Sequence, residues 1–299
     1  MKRTFSLFLF YLCSAQLLFG QAGQTGLSFL KLGVGGRALG MGEAYSAIAS
    51  DPAATYYNPA ALSLSNSPQF LLMHKEWIQD TKTDFFAAKT SINDLTLGLS
   101  LNSTSVDNIE IRDVPGPPIG TFSARNAAIG TSVSYQLPNS LSVGATVKYL
   151  YEKILVEEAS GYGIDAGALY MTPWNIRVAF AVNNLGSMNA LQTESSKLPT
   201  VLRFGGAYET KIESIEGTLT TSADVVSFTG EKNTHLHLGA ELDYKHLFAL
   251  RAGYQTGYEA RSFSAGVGIA YSLLRLDYAF VPFRYDFGTT HTFSLGIEL

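Results

Sequence analysis

From about residue 68 onward, hydrophobic and polar side chains take turns along the chain. Asp94 to Asn102 reads DLTLGLSLN, with Leu95, Leu97, Leu99 and Leu101 on one face and Thr96, Gly98 and Ser100 on the other. Leu141, Val143, Ala145, Val147, Tyr149 and Tyr151 oppose Ser142, Gly144, Thr146 and Lys148 in the same way. Leu236, Leu238, Ala240 and Leu242 share a face, as do Phe263, Ala265, Val267, Ile269 and Tyr271. A period of two is the signature of strands with two unlike faces. Candidate strands fall near 68–77, 83–91, 95–104, 124–137, 141–154, 160–171 and 174–184. They continue near 201–210, 214–226, 234–243, 246–255, 260–272, 273–281 and 288–299. That is about fourteen, an even number, with Phe293, Leu295, Ile297 and Leu299 alternating to the last residue. Short turns such as 138–140, 172–173 and 244–245 contrast with longer connections at 105–123, 185–200 and 282–287.

The chemistry of the two faces separates a barrel from a secreted sandwich or propeller. A sandwich buries its apolar face and turns charged residues outward. Here the polar face is mostly Ser, Thr and Gly, which suits the interior of a barrel whose apolar face is turned to lipid. Tyr149, Tyr151, Tyr170, Tyr208, Tyr254, Tyr271 and Tyr278 are expected near strand ends, as an aromatic girdle.

Composition adds the compartment. Met1 to Ala22 carries Lys2 and Arg3, an apolar run from Phe5 to Phe19, and small residues at Gly20-Gln21-Ala22, which reads as a signal peptide. Its removal takes away two positive residues and no negative one, moving the formal charge from −4 to −6. The single cysteine, Cys13, leaves with it, so neither a disulfide nor a thiolate site is expected. Charged residues make up 15%, against about 25% in an average soluble domain, and aromatics 12%. Mean hydropathy is slightly positive, yet no later apolar run approaches the roughly 20 residues of a membrane helix. No basic patch points to nucleic acid. An exported, charge-poor chain without helical spans has a closed barrel as its one membrane solution.

One stretch does not read as strand: Gly35 to Leu62. Gly35, Gly36, Gly40 and Gly42 loosen the backbone, Glu43 to Ala49 is expected to be helical, and Asp51-Pro52 stops that helix. Asn58-Pro59 marks a second turn after Tyr56 and Tyr57. Gly40-Met41-Gly42, Ala44-Tyr45, Asp51-Pro52 and Tyr57-Asn58-Pro59-Ala60 resemble the N-terminal signature of the PorV/PorQ family, itself similar to FadL-type transporters of hydrophobic substrates. Residues 165–170 (DAGALY) and 291–296 (HTFSLG) extend the resemblance to the middle and end of the chain. It implies an all-β, transmembrane antiparallel barrel of fourteen strands in the outer membrane of a Gram-negative bacterium, with an N-terminal helical hatch in the lumen. The expected divisions are 1–22 signal peptide, 23–66 hatch and 67–299 barrel.

Two roles follow from the resemblance. The first is a component of, or accessory to, type IX protein secretion, with secretion components or cargo as partners and loops 105–123 and 185–200 as docking surface. The alternative is a FadL-like channel for fatty acids or hydrocarbons, which pass the hatch and leave through a gap in the wall. Gly40, Met41, Gly42, Tyr45, Asp51, Pro52, Tyr57, Asn58 and Pro59 are the candidate hatch and ligand-route residues. The glycine-rich hinge 33–42, with Leu39, Ala47 and Ile48, is expected to shape that route.

By strand phase, Asp165, Arg177, Arg203, His235, His237, Glu241, Asp243, Arg251, Arg275 and Asp277 point inward. His235 and His237 lie two apart, a spacing compatible with a shared metal, but two histidines do not make a zinc site. The inward acids and arginines from 241 to 277 are expected to pair across strands and hold the hatch, since unpaired buried charge is costly. No histidine lies beside a serine in an elbow and no G-x-S-x-G is present. The glycine run 33–36 lacks a strand-helix frame for a phosphate loop. Neither catalysis, a cofactor nor a metal is expected.

Overall fold

The computed structural model describes residues 26–191, 194–231 and 233–299. The predicted signal peptide and Cys13 lie outside the described residues. Fourteen antiparallel strands close into a barrel: β1 Gln69–Glu76, β2 Thr81–Ile92, β3 Leu95–Ile111, β4 Gly120–Leu137, β5 Leu141–Ile154, β6 Glu157–Met171 and β7 Ile176–Met188, then β8 Val201–Ile212, β9 Gly217–Phe228, β10 Thr234–Tyr244, β11 Phe248–Gln255, β12 Phe263–Tyr271, β13 Leu274–Pro282 and β14 Thr289–Glu298. Each strand pairs with its sequence neighbours, and β1 closes the ring on β14 through Gln69↔Glu298 to Glu76↔His291. Closure leaves no free sheet edge. A two-stranded pair, Ala190–Leu191 with Glu194–Ser195, sits in the connection after β7.

The alternation is realised residue by residue. On β3, Leu97, Leu99 and Leu101 are 39%, 49% and 41% exposed, while Thr96, Ser100 and Asn102 are buried. The outward face is therefore apolar and the inward face polar, the reverse of a water-soluble sandwich. Tyr170, Tyr208 and Tyr271 stand toward one end of the barrel and Tyr151 and Tyr254 toward the other. Tyr149 and Tyr278 lie nearer mid-strand, and the Tyr278 hydroxyl is 2.8 Å from His291 Nδ1. Among the described residues no helix is long and apolar enough to cross a membrane.

Two expectations about loops fail. Residues 105–123 are largely strand, because β3 runs to Ile111 and β4 begins at Gly120, leaving 112–119 as connection. Residues 185–188 likewise extend β7. In both, a register shift interrupts the period of two, between Val106 and Ile109 and opposite Val182 to Leu185, so the sequence pattern stops short of the hydrogen-bonded ladder. Among the described residues the wall is hydrogen-bonded all the way round. Its irregularities include bulges between Val106 and Ile109 on β3 and between Ile164 and Ala166 on β6.

The connections sort into two ends. The turns 93–94, 138–140, 172–175, 213–216, 245–247 and 272–273 crowd one end, and 112–119, 189–200, 256–262 and 283–288 lie at the other. Residues 26–66 run between these ends inside the barrel and are almost wholly buried. Their helices are α1 Gly36–Gly40 and α2 Ala54–Tyr57, with 3-10 turns at Ser28–Lys31 and Pro59–Leu64.

The expected helix at Glu43–Ala49 is absent. Glu43 has φ of 59°, and the Tyr45 and Ser46 N–H groups donate to Asp224 Oδ2 of β9 at 3.2 and 2.9 Å. Ala44 O accepts from Ser222 Oγ at 2.7 Å. Wall side chains supply the partners that helical hydrogen bonds would have used, and tertiary context overrides the Ala-rich propensity.

Candidate functional site

The interior is the candidate site, and it is built where the inner segment meets the wall. At the loop end, Gly26 N–H donates to Lys197 O at 3.0 Å, and Leu27, Phe29 and Leu30 pack on Ala128, Leu150, Met188 and Leu198. Lys31 pairs with Glu231 at 2.9 Å. Farther in, buried Lys75 Nζ donates to Gly33 O at 2.7 Å.

Glycine permits the next approach. A Cβ at Gly40 would lie 3.0 Å from Gly266 Cα, and one at Gly36 would lie 3.0 Å from Asp277 O. Helix α1 thus rests directly on β12 and β13, with Gly36 N–H donating to Ser294 Oγ at 2.7 Å.

Five charges meet beneath this helix. Arg37 grips Glu241 with two donors, Nη2 to Oε1 at 2.6 Å and Nε to Oε2 at 2.9 Å. The same carboxylate takes Arg251 Nε at 2.5 Å and Arg275 Nη2 at 3.4 Å. Asp277 completes the group, 2.8 Å from Arg251 and 3.1 Å from Arg275. Three guanidinium groups and two carboxylates therefore bind the segment to three strands of the wall, a network in which each buried charge has a partner.

A second clasp lies toward the loop end, where Glu43 Oε1 meets Arg261 Nη1 at 3.1 Å. Burial alone would push the Glu43 carboxyl up, but Arg261, His237, Arg203 and Lys75 around it hold it below its ordinary value.

The later half of the segment is held differently. Tyr57, Leu62, Ala60 and Ala61 are fully buried in an apolar cluster with Leu71, Phe85 and Leu169. Asn58 caps the turn that follows, accepting from Ala60 N at 3.1 Å and donating to Ser46 O at 3.0 Å. Lys89 Nζ closes the exit by donating to Ser50 O, Leu62 O and Ser65 O at 2.6, 3.1 and 2.8 Å.

The sequence candidates divide accordingly. Gly40, Met41, Gly42, Tyr45, Pro52, Tyr57, Asn58 and Pro59 are buried in the segment, and Asp51 is partly exposed. Asp51 accepts from Tyr45 Oη at 2.6 Å. Leu39, Met41, Ala47 and Ile48 are packed solid rather than lining a passage.

Glu241, Arg251, Arg275 and Asp277 come together in the charged group. Asp165 pairs with Lys148 at 2.6 Å, and Arg203 lies over the Tyr57 ring at 5.1 Å. Arg177 and Asp243 stand apart near the turn end, with Glu209 at 2.7 Å and His246 at 3.0 Å respectively. His235 stacks on Tyr258 with ring centroids 4.0 Å apart, and His237 Nε2 is 3.1 Å from the Tyr258 hydroxyl. No group of three or more His, Cys, Asp or Glu among the described residues is placed to hold a metal.

Arg37, Glu43, Lys75, Lys89, Asp224 and Arg261 were missed. For Lys75 and Lys89 the signal was present, since both share the inward phase of Leu71, Met73, Phe85 and Ala87. Arg37 and Glu43 carry no periodic signal, because their segment has no regular period. Near the turn end, a cavity of ≈ 370 Å³ lies between Arg37, Asp51 and Pro52 on one side and Leu247, Leu273 and Arg275 on the other.

The fold has known counterparts. The Pseudomonas putida toluene transporter TodX superposes with a TM-score of 0.62 at 15% identity, over 88% of this chain and 96% of that one. The CymD monoaromatic hydrocarbon channel gives 0.61 at 14%, over 89% and 96%. A Pseudomonas aeruginosa FadL homologue gives 0.59 at 14%, over 88% and 97%. At these identities the likeness is one of fold: a FadL-like barrel. None of these three is a PorV or PorQ protein. No curated protein matches the sequence. Residues 18–167, half of the chain, match the family described as "Uncharacterised protein family (UPF0164)", and to that family the chain belongs.

Proposed function

We propose that the protein is an outer-membrane channel for hydrophobic small molecules, with residues 26–66 as a hatch that closes its lumen. The observation that carries this reading is a closed, outwardly apolar barrel whose interior is filled by one segment, held by glycine contacts and a five-charge latch. An apolar band outside and a plugged, polar interior are the requirements of an outer-membrane barrel that must not leak. The fold shared with the toluene transporter TodX and the monoaromatic hydrocarbon channel CymD supports the choice of cargo.

The role is transport rather than catalysis. Closure of the wall leaves the lumen as the path, so the hatch must shift for cargo to pass. The type IX secretion reading draws less support, because the expected docking loop 105–123 is mostly wall.

The test is uptake of radiolabelled toluene and decane by a Gram-negative host deleted for its own FadL. Expression of this chain should raise uptake above the vector control, and Glu241→Ala should raise it further by loosening the hatch. A correctly assembled, heat-modifiable barrel that leaves uptake at the control level would overturn the reading.

A further inference from the structure

A small void lies against the hatch on the side away from the latch. It measures ≈ 20 Å³, and Asn102 lines it together with Leu30, Tyr56, Phe85 and Lys148. That is room for about one water or one hydroxyl group. Asn102 is 4% exposed, and neither its Nδ2 nor its Oδ1 has a hydrogen-bond partner among the described residues. Two interior asparagines are satisfied at both ends, Asn58 as described above and Asn184 by Lys148 Nζ at 2.9 Å and Pro199 O at 3.2 Å, while Asn183 donates to Tyr56 O and leaves only its Oδ1 unpartnered. A buried amide with both functions idle costs stability unless something binds there.

The surroundings define what that something is. Lys148, the cation at the void, already neutralises Asp165 at 2.6 Å, so no free positive charge awaits a carboxylate. On the adjoining strand Asn126 faces Glu152 in register, and Asn126 Oδ1 also lacks a partner. Inward Glu152 adds negative charge nearby. An anion is disfavoured, whereas a hydroxyl both donates and accepts and matches an amide that offers both. Leu30 and Ala128 of the void's lining belong to an apolar cluster that continues through Leu27, Leu150 and Met188 toward the loop end.

We infer that Asn102 receives the hydroxyl of an uncharged, hydroxylated hydrophobe, whose tail takes the place of Leu27 and Leu30 on Leu150 and Ala128. This inference rests on the channel reading and sharpens it, since a bare hydrocarbon would leave Asn102 unpaired.

The experiment is equilibrium binding of tritiated 1-decanol, decanoate and decane to the full chain in lipid nanodiscs. Wild type should bind decanol roughly tenfold more tightly than decane, the worth of about two net hydrogen bonds, and more tightly than decanoate. Asn102→Leu should erase the preference for decanol over decane. Heat-modifiable gel migration checks that the variant assembles, and the wild-type comparison does not depend on it. Equal binding of decanol and decane, a preference for decanoate, or a preference that survives Asn102→Leu would each overturn the inference and assign the void to a water. Decane binding without discrimination would leave the channel reading standing, whereas no binding of any probe would count against both.

Discussion

The two halves of the inner segment meet the same kind of wall by opposite means. Residues 36–46 lie against β9 to β14 and are fixed by charge and hydrogen bonds: Arg37 on Glu241, Glu43 on Arg261, and the Tyr45 and Ser46 amides on Asp224. Residues 53–64 lie mainly against β1 to β7 and are held by apolar packing of Tyr57, Ala60, Ala61 and Leu62, helped by hydrogen bonds of Asn58 and Lys89 but by no ion pair among the described residues. Apolar contacts lose energy smoothly as groups separate and do not depend on pH. A network of buried ion pairs fails abruptly when one member is removed, because the survivors are left charged and unpaired. On the channel reading proposed above, the first half is the one to release and the second the one to anchor.

The sharpest way to break this comparison is at Glu241, the carboxylate shared by three arginines. Glu241→Ala leaves Arg37, Arg251 and Arg275 competing for Asp277, and should cost about 3–5 kcal/mol. The change should appear as a lower midpoint in thermal loss of the heat-modifiable band. It should also bring cleavage within 36–46 under limited proteolysis, while 53–64 stays protected. Equal cleavage of both halves would show that they release together. The anchoring counterpart is Leu62→Ala, which empties a fully buried apolar site and should cost about 3 kcal/mol. That loss should be the same at neutral and acid pH, since no titratable pair is involved.

A third test uses pH to separate the clasps. The Glu43 carboxyl is held below its ordinary value. Its contribution is therefore complete above the unfolded value of 4.5, and is lost as pH falls through the lower folded value. Glu43→Gln removes about 2 kcal/mol at pH 7. The gap in thermal midpoint between wild type and variant should close below pH 4.5. A gap that persists unchanged at pH 3 would mean that the charge on Glu43 is not what holds this clasp.

How much of this was legible depends on whether a residue obeyed a period. All fourteen strands were visible because alternation at 95–101 or 141–151 reports a wall with unlike faces, whatever lies beyond it. Glu241, Arg251, Arg275 and Asp277 were placed inside by that phase alone, and they do converge. The strand extensions 105–111 and 185–188 escaped because bulges break the period of two there, between Val106 and Ile109 and opposite Val182 to Leu185. The inner segment escaped most. Its helix sits at Gly36–Gly40, where propensity argues against one, and its Ala-rich stretch forms turns instead of a helix, with Asp224 and Ser222 satisfying part of its backbone from across the lumen. Arg37 and Glu43 find partners about two hundred residues away, a distance that no local pattern encodes.

The mildest perturbation concerns how closely the releasable half approaches the wall. Gly42 has φ of 62°, and a Cβ there would lie 3.0 Å from both Leu238 O and Tyr254 N, backbone atoms of β10 and β11. Gly42→Ala introduces a left-handed alanine and a contact that the wall can relieve only by shifting a few tenths of an ångström. The expected cost is about 1 kcal/mol, too little to unfold the barrel but enough to lift residues 40–46 from β10 and β11. Gln255 Nε2, which donates to Gly42 O at 2.9 Å, would lose alignment first. Hydrogen exchange should quicken at the Tyr45 and Ser46 amides and stay unchanged at Ala60, whose donor bond to Asn58 belongs to the anchored half. If exchange at Ala60 quickened equally, the segment would be one cooperative unit, and the division between a releasing and an anchoring half would have to be abandoned.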